Sequence, residues 1–191
     1  MIDRKEALIL TLNFTPQYYA SSRDFAIIDD DTDDVAAVEQ TFDNDWNDDQ
    51  TTVSDSNNLV WSPGSEQTLL DLINNAKTSL DIYNEEVADS DITQALIDAA
   101  KRGVAVRIDM TYSSEWRAAF SRLTRAGAQV RTYASNALLY IHTKMIVADD
   151  AQAFVGSENS SSGSLNNNRE LGIITGHTDV ISPLEATFEK D

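Results

Sequence analysis

The sequence predicts an α/β fold in which one sheet carries helices on both faces. Two observations predict it. From residue 58 onwards, short apolar segments typical of strands take turns with segments whose apolar residues recur every three to four positions, as on one face of a helix. The chain also matches itself at a fixed offset, which indicates one complete structural repeat preceded by the tail of another. At 191 residues the chain is long enough to bury a sizeable core.

The predicted elements of the complete repeat alternate between strand and helix and then continue as several strands. The strands are predicted at 58–61, 79–84, 104–110, 129–133, 138–141, 144–148, 153–155 and 171–175. The helices are predicted at 65–77, 91–102, 114–126 and after His177. Asp91 is the predicted N-cap of the second helix, and Gly103 and Gly127 end the second and third helices.

The internal match appears when the chain is shifted by 146 residues. Without a gap, 12 of the 45 overlapping positions are identical, against about 3 expected by chance at ordinary residue frequencies. The identical pairs include Asp3 with Asp149, Asn13 with Asn159, Arg23 with Arg169, Phe42 with Phe188 and Asp45 with Asp191. We therefore predict that 1–46 is the tail of a first repeat, 47–57 a polar linker and 58–191 a complete second repeat. In the tail, strands are predicted at 7–12 and 25–28 and a helix at 33–45.

Composition restricts the kinds of site that the chain can build. The absence of cysteine excludes disulfides and thiolate metal sites, and two histidines are too few for a typical zinc centre. No apolar run approaches the roughly 20 residues of a membrane helix, and the first residues lack the layout of a signal peptide. The compartment is left open, with a secreted or cell-envelope location requiring a signal peptide in a preceding segment. The net charge of −18 predicts an acidic surface that repels polyanions such as DNA at long range.

Residues with a chemistry of their own cluster between 142 and 159. His142 lies between the strands predicted at 138–141 and 144–148, two residues before Lys144, and in extended chain two such side chains project from one face and can meet one phosphate. An uncharged imidazole is a competent nucleophile near neutral pH. Lys144 and the Asn159 amide can stabilise charge on the non-bridging oxygens, and this chemistry requires no metal or other cofactor. Gly156 permits a tight turn or a close approach that presents Ser157 and Asn159.

This order of residues resembles the HKD motif of the phospholipase D superfamily. The motif positions are filled by His142, Lys144, Asp149, Gly156, Ser157 and Asn159. Residues 99–107 and 168–174 are also similar to the family, so the resemblance covers nearly the whole chain. It implies a phospholipase D-like phosphodiesterase or phosphatidyltransferase that acts on phospholipid head groups through a phosphohistidine. An HKD-type nuclease and a non-catalytic phosphate-binding remnant are the alternatives, with nucleic acid the less favoured substrate.

The resemblance also implies two motifs that face each other across a pseudo-two-fold axis, because one imidazole cannot be nucleophile and general acid at once. By that pattern His142 is the expected general acid, although the reverse assignment stays open, and Asp24 hydrogen-bonds it. Glu170 would meet the histidine of the opposite half. The phosphate would be bound by His142, Lys144, Ser157, Asn159 and Asn13.

The offset of 146 places the first-half histidine and lysine before Met1. We therefore hypothesise that the chain is the C-terminal part of a two-motif enzyme, weak or inactive without its N-terminal half. A homodimer is disfavoured, because residues 1–46 would cover part of the surface that the motif of a second copy needs.

Several polar residues near the motif have more than one interpretation. Asp149 is grouped with the catalytic residues, although a structural hydrogen-bonding role is favoured for it. Glu85 and Glu86 could form an acid–base pair, but a strand-end position near the pocket is favoured. The serine-rich residues 160–164 are predicted to form a flexible loop near the pocket, and His177 is interpreted as incidental. Leu10 occupies the first-repeat position of Gly156, which predicts a loop of different shape there.

Overall fold

The computed structural model describes residues 1–16, 19–48 and 58–191. Its strands are β1 (Ala7–Leu10), β2 (Ser22–Arg23), β3 (Ala26–Asp29), β4 (Leu59–Ser62), β5 (Ser79–Tyr83), β6 (Ala105–Thr111), β7 (Gln129–Tyr133), β8 (Tyr140–Ile141), β9 (Lys144–Ala148), β10 (Gln152–Gly156) and β11 (Glu170–Thr175). Its helices are α1 (Thr32–Trp46), α2 (Glu66–Asn75), α3 (Ser90–Lys101), α4 (Arg117–Ala126), α5 (Ser162–Asn166) and α6 (Thr178–Phe188). None of these helices is long and apolar enough to cross a membrane.

A seven-stranded mixed sheet forms the centre, in the order β4-β11-β10-β9-β5-β6-β7. Strands β5, β6 and β7 are parallel, whereas the remaining neighbours pair antiparallel. Helices α2, α3 and α4 cover one face through a core that includes Leu72, Leu96 and Leu123. Helix α6 and the β1–β3 pair cover the other face, where Phe188 and Ile9 are buried. The predicted α/β class, with helices on both faces of the sheet, is confirmed.

The β1–β3 pair has the same register as the β10–β11 pair. Ala7 lies opposite Asp29 and Leu10 opposite Ala26 in the first, while the second has Ala153 opposite Thr175 and Gly156 opposite Gly172. Each residue of the β1–β3 pair thus corresponds to the β10–β11 residue that lies 146 positions later. The helices that follow the two pairs also begin at corresponding residues, Thr32 and Thr178. The division into tail, linker and complete repeat stays a prediction, and residues 49–57 of the predicted linker lie outside the described residues.

Three local features differ from the sequence-based expectations. The N-cap of α3 is Asp89 and not Asp91, because the Asp89 carboxylate accepts hydrogen bonds from two backbone N–H groups of the first turn. Part of the predicted loop at 160–164 belongs to α5, where the fully buried Leu165 holds a serine-rich segment in helical form. The strand β2 pairs in parallel with β8 and was not predicted, because two residues are too few to show an apolar pattern.

Candidate active site

His142 stands between β8 and β9, at the place where the N-terminal segment meets the central sheet. The backbone N–H groups of His142 and Thr143 donate to the Arg23 carbonyl, at 3.4 and 3.0 Å. His142 Nδ1 lies 2.9 Å from Asp24 Oδ1, so the Nδ1 proton is donated to that carboxylate and Nε2 is left facing the neighbouring cavity. The structure thus places Asp24 where the resemblance implied it.

The Asp24 carboxylate is fixed by further hydrogen bonds from its own segment. Thr11 Oγ1 donates to it at 2.8 Å and Ser22 Oγ at 2.6 Å. Burial acts to raise the pKa of Asp24, but hydrogen bonds from His142, Ser22 and Thr11 outweigh it and hold the pKa below its ordinary value. Asp24 is therefore ionised near neutral pH and can orient the His142 ring.

Lys144 lies on the opposite side of the ring from Asp24. Its ammonium is 3.3 Å from His142 Nε2, donates to the His142 carbonyl at 2.6 Å and lies 3.2 Å from Glu85 Oε2. Asn13 Nδ2 is also 3.3 Å from His142 Nε2. The structure therefore brings together the predicted residues His142, Lys144, Asp24 and Asn13. It adds Glu85 to them.

A cavity of about 160 Å³ opens at His142. It is lined by Leu12, Asn13, Thr15, Tyr19, Ser22, Asp24, Glu85 and His142. The described residues include no group of three or more His, Asp or Glu side chains arranged to hold a metal ion. The cavity can admit a phosphate group, which would meet His142 Nε2 and Asn13 Nδ2 in its lining, with the buried Lys144 ammonium directly behind them, 3.3 Å from His142 Nε2.

The remaining predicted residues are not joined to His142 or Lys144 by any of the described hydrogen bonds. Ser157 Oγ accepts from the Leu171 N–H at 3.3 Å, and Glu170 accepts from Ser164 Oγ at 2.7 Å. The Asn159 N–H donates to Ser164 Oγ, and Asn159 Oδ1 is buried without a partner among the described residues. Ser157, Asn159 and Glu170 thus form a second group, and in the described residues no histidine contacts it.

This second group has its counterpart in the N-terminal segment. The Phe25 N–H donates to Thr11 Oγ1 at 2.9 Å, just as the Leu171 N–H donates to Ser157 Oγ. Ser157 lies 146 residues after Thr11, and Leu171 lies 146 residues after Phe25. Asp24 is therefore the counterpart of Glu170.

Two ion pairs connect the N-terminal segment with the rest of the chain in a reciprocal way. Arg23 makes two hydrogen bonds of 2.6 Å to Asp191, and Arg169 lies 3.0 Å from Asp45. Arg169 lies 146 residues after Arg23, and Asp191 lies 146 residues after Asp45, so the two ion pairs exchange corresponding residues between the N-terminal segment and the rest of the chain. The Tyr83 hydroxyl also donates to the Asp191 carboxylate, at 2.8 Å. Asp191 is thereby fixed, and through it Arg23 is held beside Asp24.

Asp149, at the other end of β9, is not brought to this site. Its carboxylate accepts hydrogen bonds of 2.6 to 3.0 Å from the N–H groups of Lys77, Thr78 and Ser79 and from the Thr78 hydroxyl. Asp149 follows His142 by seven residues, which corresponds to roughly 23 Å of extended chain. The favoured structural interpretation of Asp149 fits this geometry. It joins the start of β5 to the turn after β9.

Replacing Asp149 with asparagine is expected to lower the free energy of unfolding by about 2 kcal/mol, because the donors lose a charged acceptor. Burial opposes ionisation, but the backbone hydrogen bonds lower the pKa of Asp149 to about 2. This stabilisation is therefore complete above about pH 4 and is lost as the pH falls towards 2. Urea unfolding checks the stability, and the NMR signal of the His142 ring should not move. A shifted ring signal with unchanged stability would contradict the structural role.

Two features of the site were not predicted from the motif. Glu85 contacts both His142 and Lys144, and the only sequence signal for this was its position at a strand end. Glu158 is fully buried, with both carboxylate oxygens lacking a partner among the described residues. Burial raises the pKa of Glu158 to about 8, against the opposing effect of the backbone N–H groups of Glu158 and Ser157, and the nearby charge of Glu170 adds to the increase. His177 is the N-cap residue of α6 and lines a different cavity.

A family model and several curated relatives point to the phospholipase D-like family. The family model described as "Cardiolipin synthase, PLD-like domain" matches residues 69–191. Phospholipase D Z of Dictyostelium discoideum is 31% identical over 154 residues, which cover 70% of this chain and 36% of that protein. The mitochondrial cardiolipin hydrolase of Danio rerio is 29% identical over 64% of this chain and 54% of its own length. The 5'-3' exonuclease PLD3 of Rattus norvegicus is 31% identical over 59% of this chain and 27% of its own length.

The chain spans only about a third to a half of the first two of these relatives. Among solved structures, the phospholipase D family member Nuc from Salmonella typhimurium has a TM-score of 0.60. That match has 24% sequence identity and covers 69% of this chain and 90% of the Nuc chain, so it shows the fold. With a family model that matches well over half of its length, the chain belongs to the phospholipase D-like domain family.

Proposed function

We propose that this chain forms one half of a phosphodiesterase site that acts on phospholipid head groups through a phosphohistidine. The observation that carries the proposal is the geometry at His142. Asp24 binds Nδ1 at 2.9 Å and the Lys144 ammonium lies 3.3 Å from Nε2. The imidazole is thus held with one nitrogen towards the cavity and a cation beside it, as transfer of a phosphoryl group between oxygen and nitrogen requires.

The reaction requires two imidazoles. One attacks phosphorus and forms the P–N bond while the P–O bond to the leaving group breaks, and the other gives its proton to the departing alkoxide. In the second step the imidazole that gave up its proton takes a proton from water or an alcohol. The oxygen of that water or alcohol attacks phosphorus, and the P–N bond to the other imidazole breaks. We assign the acid and base role to His142, because its Nδ1–H···Asp24 bond stabilises a ring that gains and loses a proton at Nε2.

The second half would be supplied by a preceding segment of the same protein. Leu8, Ile28 and Phe42 are 39%, 64% and 59% exposed. Their counterparts Phe154 and Phe188 are 1% and 2% exposed, and Ile174 packs against the same core as Phe154. Residues from the 58–148 region cover these counterparts, as Tyr83 does for Phe188 at a ring-centroid distance of 4.9 Å. A unit similar to 58–148, with its own histidine and lysine, would cover the exposed side chains of the N-terminal segment. It would also place a histidine at Glu170.

Phospholipid is favoured over nucleic acid because of charge. A net charge of −18 repels a polyanion, whereas a zwitterionic phospholipid carries no net charge to be repelled. The named relatives act on both classes, since they include a phospholipase D and an exonuclease. A nuclease is therefore the alternative within enzymes. A phosphate-binding remnant without turnover is the alternative outside them.

Activity should be measured with the 191-residue chain and with the longest reading frame that contains it, on short-chain phosphatidylcholine and on single-stranded DNA. We expect the longer protein to hydrolyse the lipid, the isolated chain to be at least about a hundredfold slower, and His142→Ala to reduce the rate by about a thousandfold or more. The matched control is His177→Ala, which should leave the rate unchanged. Cleavage of DNA alone would establish the nuclease, and phosphate binding without turnover the remnant. Full activity of the isolated chain would refute the need for a second half.

A further inference from the structure

The Glu85 carboxylate occupies a position that a substrate phosphate would need. Glu85 Oε2 lies 3.2 Å from Lys144 Nζ and 3.5 Å from His142 Nε2. Its other oxygen accepts a hydrogen bond of 2.7 Å from the Tyr140 hydroxyl. A single carboxylate oxygen is therefore beside both His142 Nε2, which lines the cavity, and the buried Lys144 ammonium, while the tyrosine holds the carboxylate in place.

Glu85 brings a full negative charge to this position. Burial acts to raise the pKa of Glu85, but the Lys144 ammonium, the Tyr140 hydroxyl and the His142 ring together hold the pKa below its ordinary value. Asp24 places a second carboxylate in the same cavity. The cavity lining thus contains two carboxylates, and the one nearby lysine is buried beside Glu85, which is a poor balance of charge for a ligand with more than one negative charge.

A phosphate that contacts Lys144 and His142 must lie within about 4 Å of the Glu85 carboxylate, because all three groups already lie within 3.5 Å of one another. Two unit charges at such a distance repel strongly in a partly buried site, and each further charge adds to the repulsion. A phosphodiester carries one negative charge. A phosphate monoester, whose second pKa is about 6, carries nearly two at pH 8.

We propose that Glu85 is a specificity-determining residue that admits phosphodiester monoanions and rejects phosphate dianions. The inference rests on the proposed function, since it assumes that phosphate binds at His142 and Lys144. It explains why a phosphate site contains a carboxylate in contact with its own lysine. It also separates the two ends of the reaction, because a phosphate monoester released from a substrate would not be retained.

A role for Glu85 in merely holding Lys144 leads to a different expectation. In that case removal of its charge would loosen the lysine and weaken the binding of every phosphate compound to a similar extent. In our proposal the charge itself discriminates, so its removal should improve the binding of a dianion much more than that of a monoanion. The ratio of the two affinities therefore distinguishes the two roles.

Two small probes are suitable for the test, dimethyl phosphate as the monoanionic diester and inorganic phosphate at pH 8 as the dianion. Both are titrated into the 191-residue chain while the His142 ring signals are followed by NMR. In the wild type, dimethyl phosphate should bind at least about tenfold more tightly than inorganic phosphate. Glu85→Gln should reduce this ratio by about tenfold through tighter binding of inorganic phosphate, and Glu85→Ala should act in the same direction.

Glu86→Gln is the matched control, because it removes the same charge from the next residue, for which no contact with His142 or Lys144 is described. It should leave the ratio unchanged. An unchanged ratio in Glu85→Gln, or equal weakening of both probes, would overturn the inference while leaving the proposed function intact. Binding of dimethyl phosphate that survives Lys144→Ala, or no binding of either probe to the wild type, would overturn the proposed function as well.

Discussion

Replacement of Gly156 with alanine is expected to lower the free energy of unfolding by about 3 kcal/mol. A Cβ atom at Gly156 would lie 2.6 Å from the Gly172 Cα and 2.3 Å from Glu158 Oε2. The first of these contacts is with backbone, so it can be relieved only if β10 and β11 move apart in the middle of the sheet. Gly156 is therefore required in the Gly-Ser-x-Asn sequence by the close approach of two strands, and its φ angle is not positive.

Gly163→Ala is the control for this prediction. Gly163 lies in α5, and a Cβ atom there would meet nothing within 4 Å. Alanine should stabilise the helix by a fraction of about 1 kcal/mol, because glycine loses more backbone entropy on folding. Urea unfolding of both variants gives the comparison. Equal stabilities would show that the strands at Gly156 adjust without cost.

The close approach of β10 and β11 also explains why the β1–β3 pair has larger residues where the β10–β11 pair has glycine. Leu10 and Ala26 occupy the counterpart positions of Gly156 and Gly172, yet all four β1–β3 pairs keep the register of β10–β11. The counterpart of Glu158 is Leu12. The glycine pair is thus needed where a carboxyl group lies over the strands, and larger residues occur where none does.

Much of the central sheet could be predicted from the sequence, because its strands are apolar and bounded by turns. Strands β7 and β9 have the predicted bounds, and the motif residues His142 and Lys144 are in contact. The contact between His142 and Asp24 followed from the resemblance. Its support by Arg23 could not be predicted, because an ion pair between residues 23 and 191 leaves no local pattern in the chain.

The unpredicted parts of the site share one physical cause, namely that they depend on distant strands. Glu85 reaches Lys144 from the end of β5, 59 residues earlier in the chain. Glu158 occupies the variable position of Gly-Ser-x-Asn, to which the motif assigns no role. Its burial depends on Gly172, which leaves room for the carboxyl group from the neighbouring strand. Neither environment could be inferred before the order of the strands was known.

The stability of the protein is expected to fall as the pH rises from about 4.5 to about 8, by at most about 1.4 kcal/mol for each pH unit from Glu158 alone. Burial raises the pKa of this carboxyl group to about 8 in the folded chain, whereas in the unfolded chain it titrates near its ordinary value. Between these two values the folded chain binds one proton more than the unfolded chain. By linkage, stability must then decrease with pH, and below the ordinary value the contribution is complete.

Glu158→Gln should remove this slope, because the amide does not titrate, and the difference between the wild-type and variant unfolding curves isolates the residue from the many other carboxylates. Glu115→Gln, at an exposed position, is the matched control and should leave the slope as it is. Glu158→Leu takes the residue of the counterpart Leu12 and should stabilise the protein at pH 8, because it replaces a buried, unpaired carboxylate with an apolar side chain. Identical pH dependence in the Glu158 and Glu115 variants would mean that the Glu158 carboxyl group has a partner or access to solvent in solution.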